Sequence, residues 1–481
     1  MVFAVLRLAG CWVMFCSGSV VVHAQSTYLN YWPEWQPEQQ IALDPSELSS
    51  TNDNQTPLDQ GRGVPLGPDS GIDADGRIPS VDLPTDLAHP NRWRYIPEGL
   101  IPPGNILDRF LDTTFITPIL FFEGDVGTGG GLQIADIDFA ASRRQMYGGL
   151  TLSYTTEGQQ QYRATWRRWY NQRELPSGGI IQEERSWIGA SAGFTRTLTR
   201  RFYGRGPNTK ESAESTYSES LSSATFEQQL TFPHPGDDLV LSWGTTAERR
   251  NLGDGQVTGI PDTRDAFSGD FEAGDSIDSL WLTSGVRFDT RDSQHLPYRG
   301  GSIGLSSHWS PLQTGDQSGA IFSLQGSYVQ PVWPLFHNGG SLDEEHPPID
   351  TLALGFWVSD SAGNLPFWAL PNLGGNYSLR GYGPDRFIDD SAYHMTAEYR
   401  FWVLSRGFEI VPSGRIERLG LALFAEGGNV AESADHLLEE SPHWSTGIGL
   451  RMTFERQALF RADVGFSEEG VNLAVSFGLS F

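Results

Sequence analysis

The sequence predicts an all-β fold, a transmembrane antiparallel β-barrel of about 16 strands behind a disordered amino-terminal segment. Three observations predict it. From Phe115 onward, segments of about 10 to 12 residues alternate apolar and polar positions between turns rich in Gly, Asp, Asn and Pro, the pattern of strands with one face toward lipid and one toward water. Beyond residue 24 no run approaches the ~18 consecutive apolar residues of a membrane-spanning helix, although 38% of the chain is hydrophobic and 12% aromatic. The chain also ends on an aromatic residue, Phe481, in phase with the apolar face of its last segment.

The first element, residues 1–24, reads as a secretory signal peptide: Arg7, an apolar run from Leu8 to Val22, then Val22-His23-Ala24 as the cleavage site. The run is shorter than the ~20 residues that cross a bilayer. Leu8-Ala9-Gly10-Cys11 resembles a lipoprotein cleavage box, but almost no apolar segment precedes it, which argues against lipidation. Both cysteines, Cys11 and Cys16, fall within the signal, so the mature chain is expected to use no disulfide, thiolate metal site or cysteine nucleophile. A net charge of -26 argues against nucleic acid, whose phosphates it would repel. Lys210 is the sole lysine, so basic charge is almost all arginine, suited to planar, multiply hydrogen-bonded networks.

Residues 25–110 form the second element, acidic and rich in Pro, Asn, Gln and Ser, without sustained hydrophobic periodicity; the expectation is a disordered segment with no core of its own. Asp73, Asp75, Gly76, Ile78 and Asp82 partly fit a calcium-loop spacing, but its first position is Gly71, which carries no carboxylate. An acidic linker is the favoured reading.

The third element, residues 111–481, is the barrel. Val471, Leu473, Val475, Phe477, Leu479 and Phe481 share one face, and Asn472, Ala474, Ser476, Gly478 and Ser480 share the other. Leu419, Leu421, Leu423 and Ala425 likewise oppose Gly420, Ala422, Phe424 and Glu426. Segments begin near residues 115, 130, 145, 159, 183, 220, 237, 278, 300, 319, 349, 391, 416, 444, 458 and 471, an even number, which closes a sheet; if both termini face the periplasm, short inner turns alternate with longer outer loops. Residues 200–219, 252–277, 362–390 and 428–443 then become outer loops. Residues 142–144, 234–236 and 456–457 become inner turns, and two inner connections, 334–348 and 406–415, are longer than usual.

Within the sixth outer loop lies Leu379-Arg380-Gly381-Tyr382, an arginine among apolar neighbours. A guanidinium lowered into a barrel needs carboxylates, since an unpaired buried charge costs several kcal/mol. Alternation points Glu398, Arg400, Glu426, Arg451, Arg461 and Asp463 into the lumen, with Glu426 the first choice of partner, then Glu398 and Asp463. His394 and Ser445 also sit on wall strands, but no hydrolase motif surrounds either, and the histidines lack metal-ligand spacing. No enzyme, metal or cofactor is expected.

These residues resemble the BamA/TamA-like outer-membrane assembly-factor family, the bacterial surface antigen barrels that include the two-partner secretion transporters. The resemblance covers most of residues 115–481. Leu379-Arg380-Gly381-Tyr382 matches the family's loop signature, and Phe424-Ala425-Glu426-Gly427-Gly428 stands where its F-x-D-x-G motif would supply the acid, with glutamate for aspartate. Asp289-Thr290-Arg291-Asp292 and Tyr203-Gly204-Arg205-Gly206-Pro207-Asn208-Thr209 resemble two further family motifs. The resemblance implies a loop-lock motif at 379–382 and a seam between first and last strands, near Phe115–Phe122 and Val471–Phe481, with Val475, Phe477, Leu479 and Phe481 as seam and carboxyl-terminal signal. It implies insertion of outer-membrane proteins or protein translocation across the Gram-negative outer membrane, with lipid and client outer-membrane or secreted proteins as partners. Residues 25–110 lack the periodicity of the family's periplasmic POTRA domains, which narrows that role. The alternatives are a passive or ligand-specific pore and a surface-exposed structural or adhesive barrel.

Overall fold

Sixteen strands form one antiparallel sheet in which each strand pairs with its neighbours in sequence. They are β1 Thr114–Glu123, β2 Gly127–Asp136, β3 Met146–Thr155, β4 Gln160–Trp169, β5 Trp187–Phe202, β6 Ser215–Phe232, β7 Leu239–Asp254 and β8 Ser276–Asp289. The second half is β9 Gly300–Gln313, β10 Gly319–Val332, β11 Asp350–Gly363, β12 Ser391–Leu404, β13 Arg418–Ala431, β14 His443–Phe454, β15 Ala458–Ser467 and β16 Gly470–Phe477. The computed structural model describes residues 81–481 except 82, 97, 99–100, 102–103, 124–125, 177, 270–275, 295, 315–317, 341–343, 345–346, 412–413, 455–457, 478 and 480–481. The expected signal peptide, the calcium-like spacing, the 456–457 turn and Phe481 lie outside the described residues.

Alternation sorts the two faces. Leu282 pairs with Trp309, Val286 with Leu305 and Phe288 with Ile303, and these side chains are 37–57% exposed, an apolar belt around the outside. On the opposite parity, Trp281, Arg287, Glu398, Glu426, Arg461 and Asp463 are buried. The inward face is therefore polar at its centre and filled. The sheet curls on itself: Leu296 and Tyr298, from the β8–β9 turn, pack on Trp402, Leu459 and Leu479 of the far wall, and the Tyr298 hydroxyl accepts from Arg418 at 2.6 Å.

Three departures from expectation have local causes. Structure begins before residue 110: strand Trp93–Ile96 pairs with Ile180–Glu183, which pairs with Gln172–Glu174. Trp93 and Ile96 are buried there, so a segment without periodicity of its own gains order from a distant partner. For the same reason Ile180–Glu183 is taken up by this small sheet, and the barrel segment expected from near 183 starts as β5 at Trp187. The two long inner connections, expected to be longer than usual, meet through an Arg406–Glu344 ion pair, and the second folds on itself as a hairpin of Phe408–Val411 with Gly414–Ile416. Finally, Leu479 is not on the outward face with Val471 and Leu473. The β16 ladder ends at Phe477, alternation lapses beyond it, and Leu479 is buried in the inward cluster with Leu459.

Just before β1, helix α1 (Ile106–Thr113) starts where the Asn105 side chain accepts from Leu107 N–H and Asp108 N–H. It leads into β1 without a connecting residue.

Candidate functional site

Loop 364–390, between β11 and β12, turns back into the barrel, and its position follows from what its side chains need. Leu379 and Tyr382 are buried with Leu373, Phe387, Ala392 and Val430, anchoring the apolar flanks of the motif. Between them Arg380 is fully buried. Its Nε donates to Glu426 Oε1 at 2.9 Å and its backbone N–H to Glu426 Oε2 at 2.7 Å. Nη1 reaches Glu398 at 3.1 Å and Asp463 at 2.8 Å. The guanidinium carbon lies 3.6 Å from the centre of the Phe424 ring. All three predicted acids are thus brought to one guanidinium, from β13, β12 and β15.

A second rank of arginines completes the charge pattern. Arg400 donates to Glu398 at 2.8 Å, Arg451 contacts Glu398 at 2.9 Å and Asp463 at 2.5 Å, and Arg461 donates to Asp463 at 3.0 Å. Four guanidiniums and three carboxylates alternate, which is how charges persist away from water. Arg461 also donates to the Asn376 carbonyl at 2.6 Å, tying the wall to the loop backbone.

Close approach selects glycine at two positions. A Cβ on Gly381 would meet the Phe466 backbone at 2.7 Å, and one on Gly465 would meet the Arg380 carbonyl at 2.5 Å. Leu379 itself holds φ at 43°, a left-handed conformation that the surrounding contacts impose on a non-glycine residue.

The Omp85 superfamily domain matches residues 105–481. The chain belongs to the Omp85 superfamily. Among solved structures it is similar to BamA from Haemophilus ducreyi lacking POTRA domains 1-3, at 13% identity and TM-score 0.47, covering 76% of this chain and 70% of that one. It is also similar to CdiB from Acinetobacter baumannii, at 13% identity and TM-score 0.44, covering 76% of this chain and 59% of that one. CdiB from Escherichia coli follows at 10% identity and TM-score 0.47, covering 76% and 61%. No curated protein matches the chain.

In this Omp85 barrel the loop also grips the last strands. Asn472 on β16 donates to the carbonyls of Arg380 and Tyr382, both at 3.0 Å, Ser467 donates to Gly381 O at 2.8 Å, and Asn376 donates to Val475 O at 3.2 Å. Val475 is half-buried, and Phe477 pairs with Phe460 at the end of the ladder. The Tyr203–Thr209 motif lies over the loop: Gly206 N–H donates to Ile388 O at 2.9 Å, and Thr209 O accepts from Arg386, which also pairs with Glu469 at 2.6 Å. The Asp289 motif builds a separate cluster. Arg291, Arg287 and Arg185 approach its carboxylate at 2.9, 3.4 and 3.7 Å, and Arg185 donates to the carbonyls of Asp289 and Arg291 at 2.8 and 2.6 Å.

Parity reasoning finds the acids and the second-rank arginines, but it missed Asn472, Arg386 and Glu469. Asn472 carries a signal, being a polar residue on the inward parity. Arg386 and Glu469 lie on a loop and a turn, where no period places a side chain. Ser445 donates to Glu426 Oε2 at 2.9 Å, and His394 accepts from Leu379 N–H at 3.4 Å. Both residues support the seat of the loop.

Proposed function

We propose that this Omp85 barrel inserts outer-membrane proteins or passes proteins across the Gram-negative outer membrane, working at the seam between β1 and β16. One observation carries the reading: the seated loop holds β15 and β16 from inside, while among the described residues no ladder joins β16 to β1. The carboxyl-terminal side of the seam is braced and the β1 edge is left to pair. An unpaired strand edge is a template for an incoming strand, and a client strand added there would face lipid directly, because Ile116 on β1 and Val471 on β16 are 57% and 67% exposed on the outward parity. Arg380 then serves a structural role, holding the loop and filling the lumen. Its three acids are engaged by arginines, so the reading assigns no bond chemistry, metal or cofactor to the site.

The test places a photoreactive residue at Ile116 and, separately, at Leu305 on β9. Crosslinks from Ile116 to newly made outer-membrane or secreted proteins, absent from Leu305, support the reading. Equal or no crosslinking at the two positions, together with a large steady conductance of the intact protein in planar bilayers, would replace it with a passive pore.

A further inference from the structure

Helix α1 carries an apolar face that nothing among the described residues covers. Ile106, Leu107 and Phe110 are 65%, 66% and 44% exposed, and their i, i+1, i+4 spacing sets them on one side of the helix. The helix is fixed in place: Arg109 forms an ion pair with Asp138, and Thr113 Oγ1 donates to Asp136 Oδ1 at 2.8 Å. Its apolar face is therefore presented by a pinned element.

Phe139, in the β2–β3 turn, shows which way the face looks. Its ring covers Gly148 on β3, where a Cβ would stand 2.5 Å from Phe139 Cδ2. Gly148 shares the parity of Leu150 and Leu152, whose ladder partners are Ile134 and Leu132, and Leu132 is 42% exposed on the outward belt. Phe139 thus lies on the outside of the barrel at the rim where the chain enters β1. Between it and α1 runs an open groove of about 650 Å³ whose apolar lining is Ile106, Leu107, Phe110, Phe139, Ala140 and Ala141, with Asn105, Asp136 and Asp138 also on its wall; both carboxylates are already engaged, by Thr113 and Arg109.

We propose that this groove takes an acyl chain of a phospholipid in the leaflet at that rim, with α1 lying in the membrane interface beside the β1 edge. Continuity selects the occupant: Phe139, which lines the groove, covers Gly148 on the outward parity, and the outward face at this end of the sheet carries Ile116 and Leu132, 57% and 42% exposed, so an acyl chain enters the groove without leaving lipid. Asp108, exposed between the apolar positions, and Arg109, paired with Asp138, keep charge at the interface, the division of an interfacial amphipathic helix. The helix continues into β1 without a linker, so a bound lipid would fix the depth of the seam's amino-terminal strand.

The test uses nitroxides at Leu107→Cys, Phe110→Cys and Asp108→Cys, each in the full chain with Cys11→Ser and Cys16→Ser, in vesicles of phosphatidylethanolamine and phosphatidylglycerol. Heat-modifiable gel mobility verifies that each variant is folded. The expected result is a ratio of oxygen to nickel-chelate accessibility several-fold higher at 107 and 110 than at 108. Equal ratios at the three positions would mean that the face is in water. Low access to both reagents at 107 and 110 would mean that protein, a second copy or another chain, covers it. Either result overturns the proposal.

Discussion

Glu426 closes on Arg380 twice, accepting the backbone N–H at 2.7 Å through one oxygen and the side-chain Nε at 2.9 Å through the other. The carboxylate therefore reads the position of the loop backbone as well as its charge. Glutamate at this position spans both donors, and Ser445 at 2.9 Å occupies the same oxygen as the backbone N–H.

Arg380→Ala leaves Glu426 buried beside Ser445 and His394, and loss of one partner of a buried ion pair costs about 3–5 kcal/mol. The barrel should lose its heat-resistant fast gel mobility at a clearly lower temperature. Arg380→Lys should fall between the two, because an ammonium keeps the charge but lacks the planar fork that reaches Glu426, Glu398 and Asp463 together. Exchanging the charges, Arg380→Glu with Glu426→Arg, should fail to rescue, since a carboxylate at 380 would face Glu398 and Asp463. Rescue by the exchange would show that the pair acts in isolation.

Gly465→Ala removes no charge, yet its Cβ would stand 2.5 Å from the Arg380 carbonyl. The loop must lift or β15 must bend. The variant should match Arg380→Ala in heat sensitivity and make the loop backbone newly cleavable by added protease. Wild-type mobility and protection in Gly465→Ala would mean that the loop does not sit against β15.

At the other charged cluster, Asp289→Asn takes away the carboxylate shared by Arg185, Arg287 and Arg291. Like charges brought together in a buried site repel, so this change should lower the heat-modifiability temperature more than Arg291→Ala, which leaves Asp289 beside two guanidiniums. The reverse order would contradict the placement of Asp289 at the centre of the cluster.

How much was legible in the sequence depended on whether a residue's partner lay on a periodic element. Strand starts at 300, 319, 391 and 458 match the segments read from alternation, and parity placed Glu398, Glu426 and Asp463 in the lumen where a lowered Arg380 needs partners. Parity failed where periodicity stops. Leu479 lies beyond the last ladder pair, and its inward turn follows from packing on Leu459 and Trp402. The segment expected to begin near 183 starts at Trp187, because Ile180–Glu183 pairs with Trp93–Ile96, 84 residues away at the closest pair, Ile96 with Ile180. Arg185 and Asp289, 104 positions apart in the chain, carry no signal that would join them. The Leu379–Tyr382 motif stood out for the opposite reason: an arginine between apolar anchors states a requirement, and the lumen is where this fold can satisfy it.

The central claim, that the seated loop and open seam serve protein clients, is tested most directly by depleting the chain and quantifying the outer-membrane and secreted proteomes. The account predicts loss of one or more client proteins, restored by the wild-type chain and not by Arg380→Ala produced at the same level. An unchanged proteome on depletion would contradict it.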